Sequence, residues 1–171
     1  VFSPESPKVP QILCEFKDIR SGLDAPQHRT GNRRSPVEQA LDYLRESRTA
    51  LTGNELVEPA WAIVTDMDEF RLYRWGRGRN QYERFTLSRI PGERKPCLLD
   101  DGEDARFRRF LFCRLFSRQA LLAERGACEL DRMLKHQLVA EEALEKAFYL
   151  EYRAYREHVY QTLVQANPDF P

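Results

Sequence analysis

The amino-acid sequence predicts an α/β domain followed by an all-α segment, and three observations predict it. Residues 11–17 and 60–65 are short apolar runs that read as strands, the second apolar enough to lie inside a sheet. Between them Val37, Ala40, Leu41 and Leu44 recur at the spacing of one helix face. Beyond residue 104 only helical spacing persists. The expected organisation is an α/β domain over residues 1–90, a linker over 91–103 marked by Pro91, Gly92, Pro96 and Gly102, and a helical connector over 104–171.

Residues 1–10 hold three prolines and predict an irregular lead-in. A strand is expected over 11–19 and a polar loop over 20–35, broken by Gly22, Pro26, Gly31 and Asn32. Ser35, Pro36 and Glu38 then have the pattern of a helix start. Ser35 stands at the N-cap, Pro36 at the first helical position, and Glu38 at the distance from which its carboxylate reaches back to the cap. That helix is expected to end near Ser47. After the strand at 60–65, Asp66-Met67-Asp68-Glu69 predicts a turn rich in Asp rather than a metal pair. Residues 70–75 alternate apolar and basic side chains, as a strand at the sheet margin would, and residues 81–88 predict one more edge strand. In the helical part Leu144, Phe148, Tyr152, Tyr155, Val159 and Leu163 form a long stripe, either core or a docking face.

The 171 residues are 42% hydrophobic and 32% charged, a globular composition. No apolar run is long enough to cross a membrane, and no signal-peptide pattern opens the chain. Cys14, Cys97, Cys113 and Cys128 are scattered, which argues against structural zinc and suits reduced thiols in a cytoplasm. His28, His136 and His158 have no partners at ligand or triad spacing. Net charge is zero, yet residues 17–34 carry five basic against two acidic side chains, and residues 71–95 eight against two. Such patches suit a phosphate backbone; solvated loops rich in arginine are the plainer explanation.

The chemistry concentrates in Glu15-Phe16-Lys17. Side chains alternate along a strand, so Leu13, Glu15 and Lys17 share one face and Ile12, Cys14 and Phe16 the other. A carboxylate and an ammonium in an apolar strand need each other or a ligand. A carboxylate suits Mg²⁺, and a lysine suits a scissile phosphate. The plainer alternative is a structural ion pair, with Gln39 as a satisfied core amide.

The order of these elements resembles the PD-(D/E)xK nuclease superfamily. The nearest likeness is the amino-terminal nuclease module of type IIG-like restriction–modification enzymes, with similarity also to type I restriction motor subunits. The matching elements are Glu15-Phe16-Lys17, then Gln39-Ala40-Leu41-Asp42-Tyr43 on the following helix, then residues 62–66 and 70–73 as strand and hairpin. The resemblance implies a restriction-endonuclease-like mixed sheet with a flanking helix. It implies a Mg²⁺-dependent endonuclease acting on double-stranded DNA. Glu15 and the Phe16 carbonyl would ligate Mg²⁺, Lys17 would position water and stabilise developing charge, Gln39 would orient Lys17, the water or a phosphate oxygen, and Tyr43 would support the helix. Arg20, Arg29, Arg33 and Arg34 are candidates for DNA backbone contact, from charge and place. The helical tail would join a methyltransferase domain or subunit. The family pattern also has an acidic residue on a strand before the ExK strand. Here only Glu5 precedes it, and the first helix and strand of the fold are absent. The chain is thus a piece of a longer nuclease, or Glu5 substitutes, or the fold is catalytically degenerate and serves to bind DNA or a partner.

Overall fold

The computed structural model describes residues 2–3, 6–27, 33–50, 59–123 and 127–167. It is an α/β structure. A four-stranded mixed sheet takes the order β3 (Ile12–Phe16), β4 (Trp61–Thr65), β5 (Glu69–Arg74), β6 (Tyr82–Thr86). β3 and β4 are parallel, and the helix α1 (Pro36–Ala50) lies between them in the chain; the other pairs are antiparallel hairpins. Parallel neighbours need such a crossover, whereas Asp66-Met67-Asp68 suffices to reverse the chain between β4 and β5. There Asp66 Oδ1 accepts from the amides of Asp68 and Glu69, and Met67 takes a positive φ of 67°.

The helix start forms as its residue types dictate. Ser35 Oγ accepts from the Glu38 amide at 3.2 Å, and the Ser35 amide donates to Glu38 Oε2 at 2.7 Å. α1 runs three residues past the expected end at Ser47. Its apolar stripe packs on one face of the sheet: Val37, Ala40 and Leu44 join Leu23, Ala62, Val64 and Tyr73 in a buried cluster, with Leu13, Leu41 and Tyr82 at its margin.

The lead-in differs from expectation. Phe2–Ser3 (β1) and Ser6–Pro10 (β2) pair as a small antiparallel ribbon. Both strands of a two-stranded ribbon are edges, so amides pointing away from the partner are dispensable and proline is tolerated there. β3 is also shorter than predicted. After Lys17, whose amide still donates to the Thr65 carbonyl at 2.8 Å, the chain turns through Asp18 and Arg20, the latter with φ of 56°.

The expected break after residue 90 is not where the packing ends. The Leu98 amide donates to the Thr86 carbonyl at 2.8 Å, Cys97 and Leu98 are buried, and Arg109 Nη1 donates to the carbonyls of Leu98 and Asp100. The helix α2 (Glu103–Leu115) lays Phe112 against Phe70 and Phe85 with ring centres 5.1 and 5.6 Å apart, and Phe116, just beyond it, meets the same two rings. The sheet has two apolar faces; α1 covers one, and the segment expected to be a linker delivers α2 to the other. A short helix α3 (Arg118–Leu121) follows, capped by Ser117. Beyond it the Gln11 side-chain amide exchanges two 2.9 Å hydrogen bonds with the backbone of Ala123, tying the start of β3 to a point 112 residues on.

The first compact unit therefore spans Val1–Leu130, and Asp131–Pro171 forms the second. The helix α4 (Glu129–Ala166) begins in the first, where Leu130 is buried, and makes up the second. Leu144, Phe148, Tyr152, Tyr155, Val159 and Leu163 on α4 are exposed. Among the described residues no helix is long and apolar enough to cross a membrane.

Candidate functional site

The carboxyl end of β3 brings Glu15 and Lys17 together. Lys17 Nζ lies 2.6 Å from Glu15 Oε1, with side-chain exposures of 13% and 19%. They share the α1 side of the sheet with Leu13, as the alternation predicts. The register aligns Glu15 with Val64 and then Arg71 across three strands.

Gln39 sits on α1 at 7% exposure. Its Nε2 donates to Gln27 Oε1 at 3.3 Å and to the Arg34 carbonyl at 3.1 Å. Both bonds go to the loop that leads into the helix rather than to Glu15 or Lys17. Tyr43, one turn on, is half exposed. The Phe16 side chain points the other way and is exposed, which leaves its backbone carbonyl as the group of interest.

The arginines expected to touch DNA are engaged within the protein to different degrees. Arg20 Nε reaches Asp68 Oδ2 at 3.4 Å and its Nη2 donates to Ser88 Oγ at 3.0 Å, pinning the loop to the sheet hairpins. Asp68 also accepts from the Ser88 amide and hydroxyl. Burial pushes the Asp68 pKa up, but the bonds from Ser88 and the nearby Arg20 outweigh it and hold it below the ordinary value. Arg34 pairs with Asp42 at 2.8 Å, and with exposed Arg33 it lines an open cleft along with Glu38, Leu41, Asp42 and Arg45. Arg29, like Glu5 and His28, lies outside the described residues.

Acids within the protein match several of the bases at 71–95. Arg79 pairs with Glu38, Arg84 with Glu93 and Arg89 with Asp100. The sequence counts missed this because Glu38 and Asp100 lie outside the stretch.

Arg71 is the residue the sequence reading misplaced. An alternating margin strand would leave it solvated, yet it is 5% exposed. Its Nη2 lies 2.8 Å from Asp24 Oδ2 and its Nε 2.5 Å from Glu69 Oε1. Its Nη1 donates to the Tyr73 hydroxyl at 3.3 Å, and the guanidinium lies 4.8 Å from the Tyr82 ring centre. Burial works against the Arg71 charge, but the hydrogen bonds to Asp24, Glu69 and Tyr73 outweigh it and hold its pKa above the ordinary value. The same contact holds the Asp24 carboxyl below its ordinary value, and burial pushes the Tyr73 hydroxyl up to about 12. The available signal was register: Arg71 lies two residues from Tyr73 and opposite Val64, on the face α1 covers.

Among the described residues no three His, Cys, Asp or Glu side chains cluster as a metal site. Glu15 and the Phe16 carbonyl are hard oxygen donors. A pair of this kind fits Mg²⁺, which commonly takes one or two carboxylates and keeps waters or phosphate oxygens for the rest. No family model matches this chain, and neither the curated proteins nor the solved structures compared with it provide a match.

Proposed function

We propose that this chain is the nuclease module of a restriction–modification or phage-defence enzyme, with a restriction-endonuclease-like core that hydrolyses phosphodiesters of double-stranded DNA with Mg²⁺. The observation that carries the reading is the Glu15–Lys17 pair, mostly removed from solvent at the end of a strand followed in order by helix, strand and hairpin. Among the described residues β3 pairs with β4 alone in its sheet, and the family pattern has an acid-bearing strand before it in the chain.

In this reading Glu15 and the Phe16 carbonyl hold the metal. Bound there, Mg²⁺ supplies a lowered pKa for an attacking water and polarises the phosphoryl oxygens. Lys17 stands beside the carboxylate, where its ammonium orients that water and offsets the negative charge that grows on the phosphoryl group. Val64 beside Glu15 and the α1 cluster behind Leu13 keep this end of the strand rigid. Gln39 acts from the helix, through the loop it holds or by turning its amide to a phosphate oxygen. Arg33 and Arg34 face the backbone of the duplex from the mouth of the loop. The exposed stripe of α4, with Phe148 and Tyr152 stacked at 6.3 Å, docks a methyltransferase domain or subunit; deleting residues 144–163 should abolish that association.

A second reading is a degenerate nuclease fold that binds DNA or a partner without cutting. The hydrogen bonds of Gln39 to the loop favour it, because they leave that amide nitrogen turned from Lys17. Conversion of supercoiled plasmid to nicked and linear forms in Mg²⁺ separates the two. The nuclease reading expects cutting that Glu15→Ala and Lys17→Ala each abolish while the fold remains. Cutting retained by both variants rejects the site, and DNA binding without cutting by the unaltered protein selects the second reading.

A further inference from the structure

The buried guanidinium of Arg71 is not used by the proposed chemistry, and its placement is costly. Removing a cation from water costs several kcal/mol, and an apolar side chain of similar volume commonly serves stability as well or better. What the charge adds is direction. Glu69 is a near neighbour on the same strand, whereas Asp24 belongs to the loop after β3. The Arg71–Asp24 bond therefore fixes where that loop lies on the sheet.

The same loop holds the helix that carries Gln39. Leu23, next to Asp24, is buried in the core cluster, and its carbonyl accepts from the Val37 amide at 3.3 Å. Three residues beyond Asp24, Gln27 donates its amide to the Arg34 carbonyl at 3.3 Å and presents its side-chain oxygen to Gln39 Nε2. Arg79 reinforces the anchor, 3.8 Å from Asp24 Oδ1 and bound to Glu38 on the first turn of α1. From β5 to the Gln39 amide, the Arg71–Asp24 and Gln27–Gln39 contacts are thus joined by only three residues of backbone, in the loop that follows Lys17.

We infer that Arg71 is a positioning residue: by clamping Asp24 it sets the loop whose Gln27 orients the side-chain amide of Gln39. Its consequence for turnover rests on the nuclease reading; its consequence for the amide does not.

Asp24→Asn is the variant of choice, because the Asp24 side chain is 58% exposed and its loss leaves Arg71 paired with Glu69. Two measurements on the whole protein test the inference. One is the pair of Gln39 side-chain amide resonances in a proton–nitrogen correlation spectrum, assigned by their absence from Gln39→Glu. The other is single-turnover cleavage of plasmid DNA at saturating Mg²⁺. Asp24→Asn should move or broaden the Gln39 resonances and slow cleavage by about tenfold to a hundredfold, the usual effect of a small misplacement. DNA affinity should stay within about twofold, since this carboxylate makes no phosphate contact. Asp24→Glu should restore both signals and rate. Gln39 resonances unchanged in Asp24→Asn would overturn the inference, as would a rate unchanged when the resonances move. An unaltered protein that cuts nothing would defeat the nuclease reading alone, and the resonances would still decide the role of Arg71.

Discussion

Lys17 Nζ and Glu15 Oε1 stand 2.6 Å apart, on one face at the end of β3 and the residue that follows it, and neither side chain is more than a fifth exposed. Each neutralises the other in a place where either alone would face an apolar strand face and the buried cluster of α1. Because both retain some access to water, loss of one partner strands a charge only in part. Lys17→Met and Glu15→Gln should each lower unfolding free energy by about 1–3 kcal/mol. The double variant should lose less than the sum, with a coupling of about 0.5–3 kcal/mol. Urea denaturation of the four proteins measures this, and additivity would mean that the two charges do not interact in solution.

Asp24 gives the fold a defined acid sensitivity. Its carboxyl is held below the ordinary value of 3.8 by the bond from Arg71. A carboxyl depressed on folding stabilises fully above its unfolded value and loses that contribution as pH falls through the lower folded value. Stability should therefore decline on the acid side below about pH 4, and Asp24→Asn should flatten that decline by lowering stability in the neutral range while leaving the acid end unchanged. The side chain is more than half exposed, so solvent screens the pair and the amplitude should stay under about 1 kcal/mol. Thermal midpoints of both proteins across the acid range supply the comparison; an identical acid limb in both would remove the pair from the account.

The domain limit can be tested by truncation. A chain ending at residue 90 lacks Phe112 and Phe116, which cover Phe70 and Phe85, and loses the backbone bond from Leu98 to Thr86. One apolar face of the sheet would then meet water. Such a chain should lack a cooperative thermal transition, whereas a chain ending at residue 130 should show one. Two equally sharp transitions would place the limit back at residue 90.

Much of the architecture could be read from local pattern. Ser35, Pro36 and Glu38 announce their helix through side chains that bond within one turn, and the alternation along 12–17 places Glu15 with Lys17 because strand geometry leaves no choice. What escaped reading is one local ribbon and several non-local contacts. Proline in 1–10 obscured a ribbon whose pairing partner lies within the same stretch. Pro91, Gly92 and Pro96 suggested a linker, although α2 beyond them is the second cover of the sheet. Arg71 read as a surface base because Asp24, 47 positions earlier, gives no local sign of meeting it. Gln39 was placed on the expected helix, but the direction of its amide is set by Gln27 in a loop of no regular pattern.

The proposed chemistry requires Glu15, beside Lys17, to take up a divalent cation. Mn²⁺ serves as a paramagnetic substitute for Mg²⁺, and the free ion is counted directly by its electron paramagnetic resonance signal in the presence of duplex DNA. The unaltered protein should deplete free Mn²⁺ in a manner that Mg²⁺ reverses, and Glu15→Gln, folded, should leave the signal as it is with DNA alone. Equal depletion by both proteins, or none by either, would contradict it.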